Sequence, residues 1–250
     1  MKRMKISTMM NEGMLKWRAL LLVLLLGWTT TVAAQQNYGI VSPNTKTDLK
    51  LQDAIAGMKS AEEARLLKQA LNLGCVVRTR IRAFRALGSW SDGAEHSVLL
   101  TFNGDEESLR YVLSRMGRDA EQKYVIYFHP KPQGTADLYV LRPRTRARNL
   151  VALTTALERA GIPFRTLVPS GNTTAIYIID LERDLRPKIL AAARRLRARV
   201  SQQSGNALLF GDDERSQAKA KFDQEIKNYE TKNPNLPPTC DVQRARAKGH

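Results

Sequence analysis

The chain is poor in the residues that metal and nucleophile chemistry need. It has two cysteines, Cys75 and Cys240, and three histidines in 250 residues. That count excludes a disulfide-built miniprotein and leaves a structural zinc site short of ligands. No Gly-x-Ser-x-Gly elbow, His-Glu-x-x-His helix or phosphate-binding loop occurs, which removes the commonest hydrolase and nucleotidase signatures. Asp180, Glu182 and Asp184 offer too few oxygens at EF-hand spacing for calcium. They read as the polar entry to a helix. No metal and no cofactor is expected. Aromatic residues make up 6% of the chain, thin for a base-stacking surface. Acidic residues are also scarce, 24 against 40 basic ones, for a formal net charge of +16.

Long apolar runs are absent except for one. Residues 19–34 are apolar and follow a basic stretch carrying Lys2, Arg3, Lys5, Lys16 and Arg18. Val32 and Ala34 stand at the -3 and -1 positions of a cleavage site before Gln35, so 1–34 is expected to be a signal peptide. The run is short for a hydrocarbon core of ~30 Å, and a single-span membrane anchor is the alternative. Met9, Met10 and Met14 offer later starts. The expected location is periplasmic or secreted. The leader takes five basic residues and one acid with it, leaving +12 on the mature part.

Such a surplus self-repels and favours anionic surroundings. Outside the cytosol those are an anionic envelope component, a membrane surface or exported nucleic acid. An oxidising compartment would join Cys75 to Cys240, pinning a polar tail to the body.

Residues 35–74 read as a linker and a helical hairpin, with capping-box spacings at Thr45/Asp48 and Ser60/Glu63 heading helices over 46–58 and 61–73. Gly74 is the expected stop. From Cys75 short strands alternate with helices. Strands are expected over 76–86, 97–102, 123–128, 137–141, 163–168, 174–179 and 206–210. Helices are expected over 105–117, 147–160 and 185–200. Residues 137–211 then run β-α-β-β-α-β, the order of a ferredoxin-like split-βαβ two-layer sandwich. Residues 75–136, β-β-α-β, read as a partial second copy or an extension of one sheet. Residues 212–250 form a polar tail with one helix over 215–229.

Three arginine clusters are the candidate anion-binding residues. Arg78, Arg80 and Arg82 would alternate along one face of a strand, at a spacing of ~6.6 Å. Arg142, Arg144 and Arg146 fill a turn before a helix, where cations oppose the helix dipole. Arg194 and Arg195 lie in a basic helix. Tyr124, Tyr127, Tyr139 and Tyr177 fall on strands and read as core. Asp92, Glu95 and His96, with His129 after another strand, are the only acid-base constellation in sight. Asp92 also belongs to an ordinary Ser-Asp-Gly turn.

These features read as an exported basic accessory or binding protein, meeting an anionic envelope component or a partner protein. The alternatives are an envelope-associated DNA-binding factor and a hydrolase using His96 with nearby carboxylates. The missing motifs weigh against an enzyme.

Overall fold

The computed structural model describes residues 36–42, 61–90, 93–144, 150–162, 165–170, 173–237 and 240. The expected leader over 1–34 and the helix over 46–58 lie outside these residues, as do Asp92, Arg146 and the tail beyond Cys240. Among the described residues, eight strands and five helices follow one another as β1 (Asn37–Val41), α1 (Ala61–Val76), β2 (Ile81–Trp90), β3 (Gly93–Phe102), α2 (Glu106–Asp119), β4 (Tyr124–Pro130), β5 (Ala136–Pro143), α3 (Leu150–Arg159), β6 (Arg165–Ser170), β7 (Thr173–Asp180), α4 (Arg186–Arg195), β8 (Ala198–Gly211) and α5 (Arg215–Lys232).

Local chemistry explains the elements. At the start of α2 the Asp105 carboxylate accepts from the Ser108 amide at 2.7 Å, and Glu106 and Glu107 occupy the positive end of the helix. The stripe Leu109, Val112, Leu113 and Met116 is buried. Gly39 lets this helix approach β1 closely, since a Cβ there would stand 2.6 Å from the Leu113 side chain. Helix α5 lies along α2 through Phe222 and Ile226, a Tyr111–Tyr229 stack at 4.5 Å and an Arg110–Glu225 ion pair at 2.8 Å.

All strand pairings are antiparallel, and they close on themselves in the order β1-β3-β2-β6-β7-β5-β8-β4. This closed barrel corrects the expected ferredoxin-like two-layer sandwich. Two open four-stranded sheets would leave β2, β4, β6 and β8 as edges. Instead β2 pairs with β6 and β4 with β8, so no edge remains. The strands are apolar on both faces because both are covered. Helices cover the outer face and opposite walls cover the inner one.

The helical hairpin expected ahead of the fold is corrected too. Strand β1, read as linker, precedes α1, and α1 is the crossover from β1 to β2. It continues past Gly74 to Val76. Strand β8 begins at Ala198, inside the expected helix over 185–200, and runs for 14 residues.

Three apolar clusters make the core. One lies under α1, α2 and α5, and a second under α3 and α4. The third draws residues from all eight strands and from no helix, so it fills the lumen. Cys75 and Cys240 form the expected disulfide, with Cα atoms 5.8 Å apart. Among the described residues no helix is long and apolar enough to cross a membrane.

Candidate functional site in the barrel lumen

Strand periodicity decides which side chains reach the lumen. Ile40 faces inward, so Tyr38 does too. Ala86 brings Phe84 and Arg82, and Val140 brings Leu138 and Arg142. On β7 the inward residues are Ala175, Tyr177 and Ile179. On β8, Ala207 shares its face with Gln203 and Arg199.

The inward set is not uniformly apolar. Tyr38 on β1 and Tyr177 on β7 come from strands four places apart in the ring of eight, yet their rings stand 5.7 Å apart. They meet across the lumen. Both are half-buried. Burial raises both phenol pKa values above 10.0, and the Arg142 guanidinium pulls each back down. Arg142 is exposed, so it stands at the mouth while acting on both phenols. Arg199 is its cross-strand partner. Two like charges in register oppose pairing, and no carboxylate among the described residues pairs with either.

A second polar group lies toward the other end. Ser42 Oγ donates to Glu95 Oε1 at 2.7 Å and meets Ser97 Oγ at 3.0 Å. Glu95, Gly88, Thr166 and Tyr177 follow one another in cross-strand register on β3, β2, β6 and β7. Thr166 is buried, and its hydroxyl has no hydrogen-bond partner among the described residues. This row connects the carboxylate to the tyrosine pair.

The residues named from sequence fall in several places. Glu95 and His96 are consecutive on β3 and so point to opposite faces. His96 is buried beneath α1, with Nδ1 3.1 Å from Glu63 Oε1, and Arg85 approaches the same carboxylate at 4.0 Å. His129, at the end of β4, contacts Asn37 Oδ1 at 2.6 Å through Nδ1. Asn37 in turn donates to the Gly104 carbonyl at 2.8 Å. The structure therefore brings neither Glu95 nor His129 to His96.

The arginine clusters are also redistributed. The helix runs to Val76 and the strand starts at Ile81, so Arg78 and Arg80 lie in the connection and only Arg82 is on the strand. Arg142 enters the lumen mouth. Arg144 joins Arg194, Arg197 and Arg199 around one concavity, while Arg195 stands exposed beside them in sequence. Tyr38 escaped sequence reading because β1 looked like linker. Its signal is the alternation of Tyr38 and Ile40 with Gly39 and Val41. Among the described residues no three His, Cys, Asp or Glu side chains converge as metal ligands.

The expected accessory or binding protein, with arginines on an exterior face, is corrected by this geometry. Arg142 and two tyrosines are gathered at the mouth of a closed barrel instead of being spread over an exterior face. The reading against an enzyme falls with it, since that reading rested on motifs alone and this site has none.

No family model matches the chain, and no curated protein matches it. Among solved structures it aligns with a candidate monooxygenase from Lactobacillus acidophilus at 9% identity, covering 70% of this chain and 99% of the other, with a TM-score of 0.23. A second candidate monooxygenase, from Fusobacterium nucleatum, gives 8%, 72%, 100% and 0.24. An anthrone oxidase-like protein gives 8%, 73%, 96% and 0.23. Alignments at this level assign neither fold nor activity, and the barrel stands on its own strand pairing.

Proposed function

We propose that the mouth of the lumen is an active site for a small substrate with a planar apolar body and an oxygen that becomes anionic during reaction. The carrying observation is the tyrosine pair that meets across the lumen under the influence of one arginine. Phenols with raised pKa stay protonated through the neutral and mildly alkaline range, so both hydroxyls are donors there. Arg142 adds a charge-assisted donor at the mouth. Two neutral donors and one cation around an oxygen favour its anionic form, which is the arrangement that stabilises an enolate or phenolate. The partly buried apolar residues Phe84, Ala175 and Ala207, on the same inward faces, would flank the body of such a molecule. The expected location outside the cytosol stands beside this as a proposal, supported by the disulfide.

A chromogenic phenol tests the reading. Bound 4-nitrophenol should titrate below its free pKa, because the site favours the anion. Y38F, Y177F and R142Q should each weaken phenolate binding by roughly tenfold, the loss of one strong hydrogen bond. Absorbance titration at a series of pH values measures both effects. Absence of saturable binding, or an equal response from R186Q, would remove the proposal.

A further inference from the structure

Four arginines surround one concavity of about 340 Å³ outside the lumen: Arg144 after β5, Arg194 on α4, Arg197 in the turn before β8 and Arg199 on β8. Its remaining lining is apolar, from Leu190, Ala193, Ala198 and Val200. No carboxylate among the described residues pairs with any of the four guanidinium groups. Elsewhere in the protein, arginines such as Arg110, Arg115, Arg118 and Arg165 each have an acidic partner. Arg197 also holds a φ of 47°, a left-handed conformation that disfavours a side chain, where glycine or asparagine would be easier.

We propose that this concavity binds a compact, multiply charged phosphorylated anion of the diphosphate class. Unrelieved like charges around a concave surface concentrate field there and attract a polyanion. Guanidinium forks match phosphoryl oxygens in pairs, and two linked phosphoryl groups present enough oxygens to engage all four. The volume leaves space for an apolar neighbour to rest on Leu190 and Val200. This inference is independent of the lumen reading, although Arg199 sits at the rim of both sites.

Inorganic pyrophosphate is the probe, titrated by calorimetry into the folded protein at about 150 mM salt, where distant charges are screened. All four arginines are exposed, so their replacement should leave the fold intact. Pyrophosphate is expected to bind saturably, at least about tenfold tighter than phosphate. R194Q/R197Q should weaken it by roughly tenfold or more, while R186Q/K219Q changes it less than about twofold. Y38F/Y177F should bind pyrophosphate as the parent does, even if it has lost the phenol probe. Equal weakening by both charge-removing pairs would overturn the proposal, as would no saturation. Displacement of pyrophosphate by duplex DNA of arbitrary sequence, at higher affinity, would also overturn it and make this face a nucleic-acid surface.

Discussion

Reduction of the Cys75–Cys240 disulfide should lower the unfolding free energy by about 4 kcal/mol, since it closes a long loop in the unfolded chain. The two cysteines are 165 residues apart. The bridge ties the end of α1 to the segment beyond α5, and α5 covers α2 through Phe222, Ile226 and Ala218. Cys240 itself packs against that cluster. The C75S/C240S variant should therefore show a lower urea midpoint than the oxidised parent. It should match the parent measured in reductant. Identical midpoints for oxidised and reduced protein would mean that α5 and its tail hold without the bridge.

The second large effect is expected at Arg165. This residue is 1% exposed, yet its Nη1 donates to the Ile162 carbonyl at 2.6 Å and its Nη2 meets Glu158 Oε1 at 2.6 Å. Burial lowers its pKa, and Glu158 opposes that shift. The residue sits on β6 where β2 joins it, and that seam has only three residue pairs against seven at the β4–β8 seam. Arg165→Ala would leave a void and strip a buried carbonyl of its donor. The expected loss is about 3–4 kcal/mol, within the range for breaking buried polar contacts and creating a cavity. Arg165→Met keeps most of the volume and should lose about half as much. Glu158 is half exposed, so water can replace its contact and E158Q should be milder than R165A. Urea unfolding of the three variants checks the order. An R165A protein as stable as the parent would show that this seam does not need its pin.

Some of this was legible in the residues. Helix α2 announces itself through Asp105 and the stripe from Leu109 to Met116, and the paired cysteines follow from their number and the leader. The closure does not announce itself. Joining β2 to β6 and β4 to β8 requires contacts between strands far apart in the chain, and nothing local marks those edges. Apolar residues on both faces of a strand fit a sheet covered by helices as well as a barrel wall. Strand β1 is five residues long and contains Gly39, which weakens its alternation. Arg197 in the turn before β8 and Arg199 on the strand continue the basic character of α4, which prolongs the apparent helix. The site was lost with β1. Arg142 stood out as one of a cluster and Tyr177 as a core aromatic, but their common partner Tyr38 lay in a segment read as linker.

The proposed site requires two phenol rings from opposite walls to share one interior. Strands β1 and β7 are not neighbours, so Tyr38 and Tyr177 reach 5.7 Å only across a shared interior. Nuclear Overhauser measurements on protein labelled at tyrosine read this directly. Cross-peaks between the two rings are expected in the parent and should vanish in Y177L. Rings that each contact only residues of their own four strands would mean that the two walls share no interior, and the proposed site would fall with it.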